Sequence, residues 1–249
     1  MHIRWIFLSL LAWQALQLPL QASGQASGQA AGRETRPEKL LGLLALEGHE
    51  TVLDINCGDR SVVSALEKRL PKGHVISSDP QLLLSLEQDV AAVTCFHCFQ
   101  WLVQPGHVLM QIEKSLQPAG KCLLVAIPQE SEELQILQLA LRDPRSHLSH
   151  LGNTSQSVSW SIDDYRHGMW NLGFDILHFE VMRGVKAYHT HEELQDTARG
   201  WAERLHLYGL SSDFPDVFAE YAYQHYQDSY SCAVIIPFRT LIVLGAKQS

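Results

Sequence analysis

The sequence predicts an α/β fold: a doubly wound, mostly parallel sheet with a helical insertion, a lid and one edge strand missing. Three observations carry that prediction. From Thr51 to Asp79 a strand, a glycine-containing turn, a helix, a second strand and an acid follow one another, which is the βαβ unit of a nucleotide-binding sheet. The later strand candidates, Asp89 to Thr94 and Lys121 to Ile127, are near-continuous apolar runs, as strands covered on both faces must be. Finally, only the nine residues Pro80 to Gln88 separate Asp79 from Asp89. A further helix and strand in that interval would need about 15–20 residues, so the sheet's outer strand is absent.

Composition narrows the class. In 249 residues, 46% are hydrophobic and 18% charged, the balance of a globular chain rather than a disordered one. The 27 acidic against 19 basic residues leave a net charge of −8, and no basic run exceeds Lys68-Arg69, which argues against a phosphate-driven nucleic-acid binder. Five cysteines are too few for a disulfide-built scaffold, and the odd number leaves at least one thiol without an intramolecular partner.

The N-terminus carries Arg4, an apolar run from Trp5 to about Leu16, then Pro19 and small residues, the parts of a secretory signal. Trp5 to Leu20 is shorter than the about 20 residues of a membrane span. Residues 1–26 are therefore expected to be a signal peptide, cleaved after Gly24 or Ala26, or an uncleaved anchor; the chain is secreted or otherwise extracytoplasmic, or membrane-anchored. Residues 27–36 continue an Ala-Ser-Gly-Gln repeat that has little to bury and reads as a flexible tether. The folded domain spans 37–249.

Within it, Glu38 to Leu46 has helical apolar spacing after Pro37, a good first-turn residue. Thr51 to Ile55 is a short apolar strand, Ser61 to Leu70 an amphipathic helix stopped by Pro71-Lys72-Gly73, and His74 to Asp79 the second strand. Asp79 falls 25 positions after Asp54, where a carboxylate would accept hydrogen bonds from two vicinal hydroxyls. Val108 to Leu116 reads as a helix and Pro118-Ala119-Gly120 as a turn. The helical insertion is expected mainly between residues 129 and 170, and the lid near 186 to 230.

Several runs resemble one family. Val52-Leu-Asp-Ile-Asn-Cys-Gly-Asp-Arg60 is similar to VLDxGCGxG, the first motif of class I S-adenosylmethionine-dependent methyltransferases, and Ser115-Leu-Gln-Pro-Ala-Gly120 resembles their LxPGG turn. Cys95-Phe-His-Cys-Phe-Gln-Trp101 resembles the SxxxLxW segment of the trans-aconitate and juvenile-hormone-acid methyltransferase group. The order of Leu172-Gly173-Phe174, Tyr188 to Leu194, Gly200-Trp201 and Pro237 to Leu244 matches that group as well. The likeness covers roughly residues 37 to 247. It implies a Rossmann-like methyltransferase domain with S-adenosylmethionine as cofactor, held by Asp54, Asn56, Gly58, Asp79 and Thr94. It also implies methyl transfer to a small-molecule carboxylate or hydroxyl beside Gln100 and Trp101, with no nucleic acid as partner and the membrane involved only through an uncleaved N-terminus.

Two departures bear on activity. Asn56 and Arg60 stand where the family has glycines, and the long Arg60 side chain is expected near the methionine end of the cofactor, turned to solvent or toward a substrate carboxylate. The missing edge strand removes the loop that would supply an acid to the adenine. The alternative is thus an exported, inactive methyltransferase-fold pseudoenzyme acting as a binding module. Cys95, His97 and Cys98 are ligand types, but C-x-H-C crowds three of them together without a second pair, so no metal site is expected. In an oxidising compartment Cys95 or Cys98 can pair with Cys57 or Cys122. His189 and His191 read as lid hydrogen-bond donors to a carboxylate or as a solvated helix start, and Asn153-Thr154-Ser155 is a glycosylation sequon.

Overall fold

The computed structural model describes residues 37–55, 60–78, 89–102, 104–146, 159–204 and 210–248. The segments read as signal peptide and tether, Asn56 to Asp59, Asp79 and the sequon lie outside them.

The chain enters at helix α1 (Pro37–Leu40), which continues as a 3-10 turn to Leu44. Strand β1 (Thr51–Ile55) leads to α2 (Arg60–Arg69), whose basic Lys68 and Arg69 complement the helix's C-terminal dipole. After β2 (His74–Ser78) come β3 (Val90–Phe96), α3 (Pro105–Ser115) and β4 (Leu116–Ala126). Then follow α4 (Glu132–Arg142), α5 (Ile162–Asn171), β5 (Phe174–Tyr188), α6 (His191–Arg204), α7 (Phe214–Tyr226) and β6 (Val234–Lys247). The strands form one sheet in the order β2-β1-β3-β4-β6-β5. The first four are parallel, and β6 and β5 join antiparallel. Among the described residues β2 is the outer strand on its side, as the short Pro80 to Gln88 interval predicts.

Both sheet faces are covered, as the near-continuous apolar strands require. Leu40, Leu41, Val62 and Leu66 of α1 and α2 pack on Val52, Ala92, Leu123 and Ile242. On the other face Leu109 and Ile112 of α3 and Tyr165 and Met169 of α5 pack on Leu53, Val93, Leu124 and Val243. Helix α5 starts at a capping box, in which Asp164 N donates to Ser161 Oγ at 3.1 Å and Ser161 N donates to Asp164 Oδ2 at 2.9 Å. Its placement corrects the expected 129–170 insertion: α5 flanks the sheet beside α3, because its buried stripe fits the sheet face rather than a separate helical layer.

What rises above the sheet is built on an antiparallel ribbon. The β4–β6 pairing stops at Ala126↔Leu241, while β5 and β6 remain paired as far as Tyr188↔Val234. The ribbon therefore projects past the C-terminal ends of the parallel strands and carries α4, α6 and α7 on a second core of Leu134, Leu137, Trp201, Phe214, Phe218 and Ile236. Phe218 and Phe214 are fully buried in it, whereas Tyr221 and Tyr226 of the same helix are only partly so. At its base the buried Glu133 carboxylate receives Lys186 Nζ at 2.6 Å, and Arg239 reaches Glu132 at 3.0 Å.

Candidate functional site

The sheet changes winding direction between β1 and β3, since β2 lies on one side of β1 and the later strands on the other. Ligands of open α/β sheets collect at such a switch point, outside the C-terminal strand ends. β1 brings Asp54 there, almost fully buried, and Thr94 of β3 donates its hydroxyl to Asp54 Oδ1 at 2.5 Å. The two residues are register partners, so the parallel pairing itself sets this contact. A charged acid this deep persists only where donors surround it. Asn56 and Gly58, which continue the chain from β1, and Asp79, which follows β2, lie outside the described residues. Arg60 is the exposed first residue of α2, at the helix end where a cation is unfavourable.

Beyond β3 the chain turns through His97, whose left-handed backbone (φ 54) is rare for a side chain with a Cβ. His97 N donates to Val125 O at 2.6 Å, which ties the turn to β4. Gln100 is fully buried and its amide is committed at both ends: Nε2 donates to His97 O at 2.8 Å and Oε1 accepts from Ile127 N at 3.4 Å. Its carbonyl accepts from Ser159 Oγ at 3.4 Å, and Ser159 Oγ in turn accepts from Gln138 Nε2 at 2.7 Å. Gln100 thus stitches three chain segments together. Trp101 meets Trp201 of α6 edge-on at 6.2 Å, linking the strand ends to the helices above.

The sequence did not point to the aromatic wall beside this turn. Phe99 lies 5.3 Å from Trp160 and 5.4 Å from Tyr165, whose hydroxyl is buried with no hydrogen-bond partner among the described residues. Trp160 occupies a slot over Gly168, where any Cβ would come within 2.7 Å of the indole. Burial pushes the Tyr165 hydroxyl up, out of the ionising range. Only a pairwise contact across some sixty residues, invisible in local spacing, could have announced this wall.

The cysteines differ sharply. Cys95, Cys122 and Cys232 are free thiols, so none of the three expected pairings that involve Cys95 or Cys122 forms, whereas Cys98 is disulfide-bonded. Burial pushes the Cys95 and Cys122 thiols well up, which keeps them protonated and inert. Cys98 Sγ lies 3.2 Å from the Ile55 carbonyl oxygen at the end of β1. A bonded sulfur has no proton to donate, so this is a packing contact. Farther out, His191 Nε2 lies 3.1 Å from Asp216 Oδ1 and its ring stacks on Tyr223, which ties α6 to α7 on the surface. No group of three or more metal-ligating side chains occurs among the described residues.

No family model and no curated protein matches the chain. Solved structures do. A Bacillus halodurans C-125 protein described as a methyltransferase superposes with a TM-score of 0.58 at 14% identity, over 86% of this chain and 100% of that one. A Galdieria sulphuraria protein described as a sarcosine dimethylglycine methyltransferase gives 0.53 at 12% identity, over 88% and 87%. The geranyl diphosphate C-methyltransferase of Streptomyces coelicolor A3(2), solved with Mg2+, geranyl diphosphate and S-adenosyl-L-homocysteine, gives 0.51 at 12% identity, over 86% and 79%. The neighbours are class I S-adenosylmethionine-dependent methyltransferases, and this chain has their Rossmann-like fold.

Proposed function

We propose that the protein binds S-adenosylmethionine over the ends of β1 and β3 and that it transfers a methyl group to a small-molecule carboxylate or hydroxyl, in the manner of the trans-aconitate and juvenile-hormone-acid group. The observation that carries this reading is the buried Asp54 carboxylate, held by Thr94 at the switch point of the sheet. Ligands of open α/β sheets gather at this end of the strands, and an acid there is suited to accept from a ligand rich in N–H and O–H groups. Asp54 and Thr94 fit such a ligand from the described side, and Asn56, Gly58 and Asp79 are assigned to the remainder of the cradle from their places in the sequence.

The bound cofactor would supply an electrophilic methyl group. The chain's own contribution is then positional. A carboxylate acceptor is ionised at neutral pH, so no general base is demanded, and alignment with exclusion of water is what the protein adds. Trp101, packed edge-on against Trp201, is assigned the apolar side on which an acceptor would rest. Residues 1–26 are assigned to export of the domain.

A second reading, an exported binding module without turnover, is favoured by one observation: the Gln100 amide is fully buried and holds backbone groups with both its nitrogen and its oxygen instead of facing an acceptor. Thermal unfolding of the chain kept in reductant, with and without about 1 mM S-adenosylhomocysteine, tests the shared premise. Saturation of a site to about 1,000 times its Kd stabilises by about 4 kcal/mol, which is several degrees of midpoint. Asp54→Asn is expected to abolish that shift. An unmoved midpoint in the wild type would sink the cofactor reading, and methylation assays on small carboxylates then separate enzyme from binder.

A further inference from the structure

Strand β5 closes one side of the sheet: β6 pairs with one of its edges, and no described residue pairs with the other. The apolar side chains left in solvent gather there. Six large ones are exposed among the described residues, and four of them, Trp170, Leu177, Val185 and Ile235, lie on β5, on its ribbon partner β6 or on the adjoining α5.

Their faces agree. Burial alternates along the ribbon, so that Tyr188, Val234 and Ile236 enter the second core while Arg183, Val185, Ala187 and Ile235 point the other way. Lower down, the same face holds Phe179 and Val181, packed on the core shared with α5. The bulge between Ile176 and His178 puts Leu177 on that face as well. The Arg166 guanidinium of α5 lies 4.5 Å from the Phe179 ring centroid. One helical turn onward, about 6 Å, matches two residues back along the strand, which sets Trp170 beside Leu177. The foot of β5 thus presents Trp170 and Leu177, 71% and 55% exposed, and its upper end presents Val185 with Ile235.

We propose that β5 is the interface of a homodimer, pairing antiparallel with β5 of a second copy about a two-fold axis at Val181. The axis must pass at a residue, because opposed residues of antiparallel strands point to the same face. In this register His178 to Gly184 pair without interruption. Leu177 faces the partner's Val185, and Trp170 covers the partner's Val185 and Ile235. Arg183, which makes no hydrogen bond or ion pair with the described residues, faces the partner's Phe179 ring. Because the bulge holds one extra residue, Asp175 meets the partner's Lys186. Charge selects the orientation. Asp175 and Glu180 occupy the first half of β5 and Arg183 and Lys186 the second, so antiparallel pairing lays unlike charges together and parallel pairing would align like ones. A partner of other sequence need not match both ends, whereas this strand matches itself at both.

From Asp175 to Lys186 the edge is about 36 Å long, and with Trp170 it covers on the order of 500–600 Å² per copy. The total clears the about 1,000 Å² of a specific contact but not the about 1,600 Å² of a standard one, so dissociation in the micromolar range is expected. Nothing in this interface depends on the cofactor.

Sedimentation of the full chain, from low micromolar to about 100 µM, is expected to show a monomer–dimer equilibrium. A chain that stays monomeric throughout overturns the proposal. Leu177→Lys and Val185→Lys, both at exposed positions, are each expected to weaken dimerisation about tenfold, since each charge enters two symmetry-related contacts. Unchanged dimerisation in both assigns the contact to another face and overturns the proposal as well. If either variant fails to fold by circular dichroism, Trp170→Glu takes its place. Oxidative cross-linking in a Cys232→Ser background, which removes the exposed free thiol, reads the register. Val181→Cys lies on the axis and is expected to join its own copy, because opposed strand residues stand within the about 4.4–6.8 Å that a disulfide needs. Val185→Cys stands about 26 Å from its symmetry mate and is expected not to. If Val181→Cys does not fold, a mixture of Leu177→Cys and Val185→Cys chains, expected to join one to the other, replaces it. Any other pattern overturns the two-fold arrangement.

Discussion

The parallel half of the sheet and the helical layer on the β5–β6 ribbon are held together by different physics. Strands β1, β3 and β4 are buried on both faces by apolar side chains, while the outer β2 is partly exposed, and a polar pair, Asp54 with Thr94, sits toward the C-terminal ends of β1 and β3. The ribbon and its helices share a single apolar core and are tied down by charge: Glu133 with Lys186, Glu132 with Arg239, and Arg145 between Asp143 and Glu220. The difference teaches where each half is vulnerable. The parallel half should respond to ligand and redox state, the ribbon half to pH and to loss of single partners.

Three substitutions or titrations sharpen that contrast. The largest effect is expected from Phe218→Ala, which empties the centre of the second core and should cost about 3–5 kcal/mol. Urea unfolding reads it. If the two halves are one cooperative unit the whole transition moves, whereas a separate early phase would show the ribbon half melting alone. Next comes Lys186→Met. It leaves the buried Glu133 carboxylate without its cation and should cost roughly 2–3 kcal/mol, a loss largely recovered in the double variant Lys186→Met with Glu133→Gln. A full loss in the double variant would mean that packing, not charge, fixes the base of the ribbon.

The smallest effect concerns Asp143. Hydrogen bonds from the Arg145 side chain, then from its backbone N–H, hold this carboxyl down at about 2. Because its folded value lies below the unfolded one, its contribution is present above the ordinary carboxylate value and fades as pH falls toward about 2. The stability gap between wild type and Asp143→Asn should thus be constant from pH 7 to pH 5 and shrink below about 4. A gap that persists undiminished at pH 2 would assign the residue a packing role instead.

Much of the parallel half was legible in the sequence because its signals are local. An apolar run bounded by glycine and polar turns is a strand wherever it lies, and Thr51 to Ile55 and His74 to Ser78 appear almost where the pattern places them. Strand β3 instead starts at Val90 and runs to Phe96, because pairing with β1 and β4 extends it past Thr94. The ribbon half was less legible. Helices α6 and α7 have clear periodicity, but nothing in β5 or β6 says that they outrun β4 by half their length. Gln100 shows the same limit at the site. Its type and position suggested a group facing substrate, while its partners, His97, Ile127 and Ser159, lie up to 59 residues away.

The sequence by itself determined the order of elements, the buried acid at the end of β1 and the absence of a long βα step after Asp79, since each follows from hydrophobic period, turn chemistry or simple chain length. Tertiary structure alone decided that α5 belongs to the sheet face, that Gln100 is spent on backbone groups, that Phe99, Trp160 and Tyr165 form one wall, and that Cys98, not Cys95, is the bonded cysteine. The physical reason is range. Local patterns fix what a segment becomes, but burial, pairing and cross-links depend on which distant segments the packed sheet brings within a few ångströms.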